Sequence, residues 1–338
     1  MILTDSTHIK ANASDKRKEI VTVKVEPSEY IKKLDLLCDE EDLKVRAEAI
    51  SNGKNKRGYE ANTTPKTKTI AKSKTDPDSG ILSRPNKPGG FHYLNHQSVD
   101  GKSGIITDVF VTPANVDDCV PCVERIKYQK ERFNFRIREV GADAGYDYIE
   151  IHKEMLDLGI KTFIPIVDCA KLSRSDVFPP SKFKYDNYKN VYICPAGNNL
   201  NYVSVNKSKR AKIYGTSHKT CKNCPLKSQC MSPSMKRRVL QVPFFQQETA
   251  VQRANYKTDR YYEVQRLRRI YCEGNFALQK DNHNLRRTKK RGNKNVTEHC
   301  LLSALALNLK RMVKYLKDTF VLTFSNHKYS LILRFSAR

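Results

Sequence analysis

Residues 91–113, "FHYLNHQSVDGKSGIITDVFVTP", constrain the fold more than any other stretch of the chain. Two runs rich in β-branched and aromatic residues flank the turn sequence Asp100-Gly101-Lys102-Ser103-Gly104, which predicts an antiparallel hairpin. A lone hairpin is barely stable, so it needs further strands or a helix to cover one face. Candidates stand on both sides. "MILTDSTHI" predicts a short strand beginning almost at the first residue, with Asp5 and Thr7 on one face. "REVGADAGYD" predicts a strand ending in a small-residue turn. "YIEIHKEMLDLGI" predicts a helix with Ile149, Met155, Leu156 and Ile160 apolar, and "KTFIPIV" another strand. With a helix over "SEYIKKLDLLCDEEDLKVRAEAI" and another over "NVDDCVPCVERIKYQKERF", the order suits a mixed α/β sheet flanked by helices better than a doubly wound one.

The texture divides the chain further. Residues 51–90, rich in Lys, Thr, Pro, Ser and Gly, read as a long mobile basic loop inside a first part spanning 1–188. Residues 189–245 form a short-strand, cysteine-rich insertion, and 246–318 hold two helices, about 246–280 and 296–316. Asn295 and Glu298 have capping-box spacing at the start of the second. The tail 319–338 is apolar and basic and suggests no function.

Charge narrows the partners. There are 62 Lys plus Arg against 36 Asp plus Glu, a net +26, which favours nucleic acid or another anionic surface. No stretch approaches the roughly 20 apolar residues of a membrane span, and the N-terminus lacks signal-peptide features. A cytoplasmic, nucleoid-associated protein with reduced cysteines is expected.

Three acids stand where a metal-dependent nuclease needs them: Asp5 in the first strand, Asp143 at the end of "REVGAD", and Glu273 on a late helix. Mg²⁺ takes oxygen ligands and keeps several waters, so two or three carboxylates with substrate phosphates suffice. Two such ions about 4 Å apart serve an in-line displacement. Around Glu273, Arg266, Arg269 and Lys280 lie at −7, −4 and +7, spacings that stack on one helical face. The plain alternative is an ordinary intrahelical Glu–Arg pair worth a few tenths of a kcal/mol. Gly274 and Asn275 weaken a continuous helix there. Asp147 competes with Asp143, but Asp147 and Glu150 form Asp-x-x-Glu before a helical run, so Asp147 reads as an N-cap and Asp143 has no such duty. Asp76, Asp78 and Asp100 lie in turn compositions, leaving Asp108 as the strongest competitor of Asp5.

Together these residues resemble the DDE transposases of bacterial insertion sequences, the cut-and-paste branch with a ribonuclease-H-like catalytic domain. "TDSTHIKANAS" is similar to the stretch around that family's first aspartate, and "ADAGYD" to the stretch around its second. Arg269, Glu273 and Lys280 fit its Tyr-x₂-Arg-x₃-Glu-x₆-Lys signature, with Arg266 in the tyrosine's place. "GFHYLNHQSVDGKSGIITDVFVTPANVDD", "CPLKSQC" and "RGNKNVTEHCLLSALALNLKR" also look like family segments, so the resemblance runs from residue 2 to about 316. It implies a ribonuclease-H-like sheet and catalysis by Asp5, Asp143 and Glu273 on two Mg²⁺ or Mn²⁺ ions. It further implies cleavage and strand transfer on element ends and target DNA, with self-association in a nucleoprotein complex. Full-length relatives carry a helical region before the first aspartate, and this chain begins four residues before Asp5, so that region is expected to be absent. A catalytically inactive DNA-binding remnant is the alternative.

Cys194, Cys221, Cys224 and Cys230 suit a structural Zn²⁺, with His218 as a substitute ligand; reduced cysteines packing a small subdomain are the alternative. Cys119 and Cys122, one turn apart on a helix, are discounted as a redox pair. Arg286, Arg287, Lys289, Lys290, Arg291 and Lys294 concentrate beside the Glu273 helix and, with Arg266, Arg269 and Lys280, are the expected DNA contacts. An RNA-binding zinc module ranks last, since aromatic stacking motifs are missing.

Overall fold

The computed structural model describes residues 1–24, 29–51, 53, 67–82, 89–167 and 177–325, with side chains to 316. The chain clusters into two compact units. The first comprises Met1–Thr22, Thr69–Pro165 and Gln252–Arg338, the second Val23–Lys68 and Ile166–Val251.

Along the chain run β1 (Ile2–Lys10), β2 (Lys18–Lys24), α1 (Glu29–Ser51), β3 (Thr67–Ser73), β4 (Gly80–Leu82), β5 (Gly90–Asp100) and β6 (Ile106–Pro113). There follow α2 (Cys122–Phe133), β7 (Glu139–Gly141), α3 (Ile149–Asp157) and β8 (Lys161–Phe163). Next come β9 (Lys184–Asp186), β10 (Val191–Ile193), β11 (Asn199–Asn206), β12 (Ala211–Gly215), α4 (His218–Lys222), α5 (Lys227–Cys230) and β13 (Val239–Pro243). The last elements are α6 (Ala250–Arg253), α7 (Asp259–Arg268), a π-helical turn (Arg269–Glu273), α8 (Gly274–Asn282) and α9 (Asn293–Ser325).

In the first unit the expected hairpin forms: β5 and β6 pair antiparallel from Tyr93↔Pro113 to Val99↔Ile106. The sheet runs β4-β5-β1-β7-β8, with β6 also on β5. β1 is therefore central, antiparallel to β5 and parallel to β7. This is the mixed sheet with flanking helices of a ribonuclease-H-like fold. Side chains alternate across β1 with period two. Ile2 joins the core on one face with Ile126, Val140, Met155 and Ile160. Leu3 and Ile9 join the other core, with Tyr261, Val264, Cys272, Val296 and Cys300 from α7, the π turn and α9. Asp5 shares the face of Leu3 and Ile9, so it points toward the π turn rather than toward α2 and α3. Gly141 lets α7 come close: a Cβ there would meet Val264 Cγ1 at 2.4 Å.

The second unit holds an antiparallel sheet ordered β13-β12-β11-β10-β9. Helix α1, expected within the run 1–188, clusters with this unit instead. Its Tyr30, Leu34 and Cys38 bury with Phe244, and Asp35 receives both Nε (2.7 Å) and Nη2 (3.1 Å) of Arg210.

Several local expectations change. Half of 51–90 lies outside the described residues, but the described part contains β3 and β4 rather than only loop. Cys119 precedes α2 instead of lying on it. The Asn295–Glu298 capping box does not form. Asn295 Nδ2 donates to Arg291 O and Glu298 pairs with Lys290. The start of α9 is capped from afar: Asp78 Oδ2 accepts from Asn293 N (3.0 Å), and Asp76 Oδ1 from Gly292 N (3.0 Å). Helix α9 runs past the expected end at 316, and the tail from 326 lies outside the described residues. Among the described residues no helix is long and apolar enough to cross a membrane.

Candidate active site

The parallel pairing of β1 and β7 sets Leu3 beside Gly141, and two residues further along each chain stand Asp5 and Asp143. Asp5 lies in the first half of β1, and Asp143 two residues past the end of the neighbouring β7. Asp5 is 8% exposed and accepts from Ser6 N at 2.8 Å. Asp143 is not free of capping duty as its spacing suggested. It is the N-cap of a short 3₁₀ turn (Ala144–Tyr146) and accepts from Gly145 N at 2.9 Å.

Asp147 is not the N-cap of α3; Tyr148 holds that position without a side-chain bond. Asp147 is buried between His152 Nε2 (3.0 Å) and Arg253 Nη2 (2.8 Å), because a fixed cation and an imidazole offer a sequestered carboxylate more than one helix end does. Asp108 is likewise occupied, by the two prongs of Arg125.

Glu273 closes the π turn. In this turn the N–H of Gly274 donates to Arg269 O, five residues back, instead of four. The extra residue per turn changes which cation faces the glutamate. The expected partner Arg269 is exposed, and Arg268 takes its place. Arg268 Nη2 lies 2.8 Å from Glu273 Oε1, Nη1 lies 2.6 Å from Asp5 Oδ2, and Nε donates to Gln265 Oε1 at 3.2 Å. Gln265 Nε2 in turn donates to the carbonyls of Ala142 (2.9 Å) and Phe163 (2.8 Å), fixing the guanidinium against the ends of β7 and β8. Sequence reasoning missed both Arg268 and Gln265. The Arg-x₄-Glu spacing is the signal, and it becomes readable only once the π turn is known. Gly274 does not break the helix; its dihedrals are helical, and Asn275 is fully buried.

Burial pushes the Asp5 carboxyl up to about 6; Arg268 and the Ser6 N–H oppose this, and the nearby charges of Asp143 and Glu273 add to it. Both other acids thus act on Asp5. Glu273 is 52% exposed and faces a cleft of ≈ 380 Å³ with Asp5, Ser6, Thr7, Phe276 and Lys280 on its walls.

A second cleft of ≈ 670 Å³ is lined by Lys280, Arg286, Arg287, Lys289 and Lys290 together with Asn12 and His299. Lys280 and Arg286 line both clefts. The basic run is no loose strand: Lys10 N donates to Arg286 O (3.1 Å), Thr288 N to Lys10 O (2.9 Å), and Asn12 Nδ2 to Lys289 O (2.8 Å). It is pinned to the end of the strand that carries Asp5. Arg291 donates to Asn12 O, while Arg266 and Arg269 are exposed and line neither cleft.

Among the described residues no three His, Cys, Asp or Glu side chains are gathered closely enough to hold a metal ion. Between Asp5 and Glu273 the reason is visible, since a guanidinium holds the position between them. The described cysteines are free thiols. Cys194, Cys221 and Cys224 act electrostatically on Cys230, so the four share a neighbourhood. Cys194 and Cys230 pack against the cluster of Phe183, Leu200 and Tyr214.

Residues 193–313 match the family described as "Transposase DDE domain". That segment includes Glu273 and the basic run but neither Asp5 nor Asp143, and the match supports transposase function of the DDE class. No curated protein matches the chain. A solved structure, a piggyBac transposase synaptic complex with hairpin DNA, is 14% identical over 73% of this chain and 53% of that one, at a TM-score of 0.21. The chain spans about half the length of that relative, and the likeness is too slight to carry an argument.

Proposed function

We propose that the first unit is the catalytic core of an insertion-sequence transposase, which cuts DNA at element ends and joins the freed 3′ hydroxyl to target DNA. One observation carries the reading. The Arg268 guanidinium bridges Asp5 of β1 and Glu273 of the π turn, and the charge of Asp143, just past the end of β7, acts on both Asp5 and Arg268. Carboxylates that already hold a cation between them are chemically fitted to hard divalent ions. Asp5, Asp143 and Glu273 would hold Mg²⁺ or Mn²⁺, which when bound activates the attacking water or hydroxyl and stabilises the departing oxygen. The chain's own residues do the rest. The pinned run Arg286–Lys290 grips phosphates, Lys280 and Arg286 lead the backbone into the carboxylate cleft, and Gln265 fixes the approach of α7 to the strand ends.

Purified protein is expected to nick or join end-containing DNA only with Mg²⁺ or Mn²⁺, and Glu273→Ala to abolish this. Unchanged activity in that variant would sink the assignment. A second reading, a DNA-binding remnant without catalysis, rests on the basic cleft, which needs no metal to hold phosphates. Salt-dependent DNA binding with no metal-dependent cleavage would select it.

A further inference from the structure

Arg268 is 12% exposed at its side chain and spends three nitrogens on three partners, Asp5, Glu273 and Gln265. Two of those partners are acids that the proposed reaction needs as metal ligands, and this inference rests on that reading. The oxygens concerned, Asp5 Oδ2 and Glu273 Oε1, are those the guanidinium now holds. A divalent ion and a guanidinium cannot share the space between them: each takes the same lone pairs, and the two cations repel. Nor is Arg268 a loosely placed surface cation. The π turn, an extra residue inserted immediately before Glu273, brings residue 268 rather than 269 opposite the glutamate, and Gln265 anchors the guanidinium from behind. Such single-turn π bulges concentrate at functional sites.

We propose that Arg268 is an internal counter-cation that occupies the site when no metal is bound, holding Asp5 and Glu273 in place, and that metal loading requires its displacement. Arg268 is therefore a positioning residue that sets the metal threshold. Without it the two carboxylates are unneutralised, and the folded protein takes a divalent ion more readily.

The test is Mn²⁺ binding to the full chain without DNA, read by paramagnetic resonance of free Mn²⁺ and by the shift in Tm on adding the ion. Arg268→Met is expected to bind Mn²⁺ at least tenfold tighter than wild type, with a lower metal-free Tm and a larger Mn²⁺-induced rise. Arg268→Lys, which keeps a charge but cannot reach both acids, should fall between them and guards against misfolding of the methionine variant. A merely structural arginine predicts the reverse, weaker Mn²⁺ binding in both variants; that result, or unchanged affinity, overturns the proposal. Adding Asp5→Asn separates the two readings. Loss of the tightened binding in the double variant supports the counter-cation, whereas Mn²⁺ affinity indifferent to Asp5→Asn in every background means that the carboxylates are not the metal site.

Discussion

Arg268 and Glu273, five residues apart, are joined at 2.8 Å across a π-helical turn, and the same guanidinium reaches Asp5 on the central strand at 2.6 Å. The site is thus built around a shared charge. Asp5 is central to its energetics, because burial makes its ionised form costly.

That cost gives a pH dependence with a fixed sign. Asp5 titrates at about 6 in the folded chain against 3.8 as the ordinary value. Between about 4 and 6 the folded state holds the extra proton, so stability falls as pH rises through that window and the full cost is present above it. Asp5→Asn removes the charge. The metal-free variant should match wild type near pH 4 and exceed it by on the order of 2–3 kcal/mol at pH 7.5. Urea denaturation at the two pH values checks this; an equal difference at both would show that Asp5 is not the strained group.

Two glycines near the site should respond oppositely to alanine. Gly274 has helical dihedrals and open space where a Cβ would stand, so Gly274→Ala should stabilise by about 0.5–1 kcal/mol. Gly141→Ala would drive a methyl into Val264 and should destabilise by about 1–3 kcal/mol. Thermal denaturation of the pair reads both signs.

The start of α9 separates local from distant capping. Asp78→Ala should cost about 0.5–2 kcal/mol, since it removes the acceptor of the Asn293 N–H. Glu298→Ala removes only an exposed ion pair with Lys290 and should change denaturant midpoints little.

The basic cleft should show itself in salt dependence. Replacing Arg287 or Lys289 by Ala should weaken DNA binding similarly for all sequences and lower the slope of log K against log salt by about 1 each. Fluorescence anisotropy across a salt series measures it. An unchanged slope would place the DNA elsewhere.

Much of this was legible beforehand where the pattern is local. The hairpin, the strand carrying Asp5 and the helix after "ADAGYD" follow from periodicity and turn chemistry, and the parallel register then sets Leu3 of the Asp5 strand beside Gly141, two residues before Asp143. What was not legible depends on partners distant in sequence or on an irregular helix. A 3.6-residue template selects Arg269 for Glu273; only packing, with Val264 and Cys272 both fully buried, fixes the wider turn that selects Arg268. Asp147 looked like a cap because Arg253, 106 residues away, has no local signature. The cap of α9 comes from 215 residues earlier, and α1 joins a unit whose other members begin beyond residue 165.

The measurement closest to the central claim is a crystal structure of the chain soaked in Mn²⁺, with the ion located by its anomalous scattering. The account predicts a peak bounded by the carboxylates of Asp5, Asp143 and Glu273, with the Arg268 guanidinium withdrawn from Asp5 and Glu273. A fully occupied Mn²⁺ site elsewhere, with Arg268 still bridging the two acids, would contradict it.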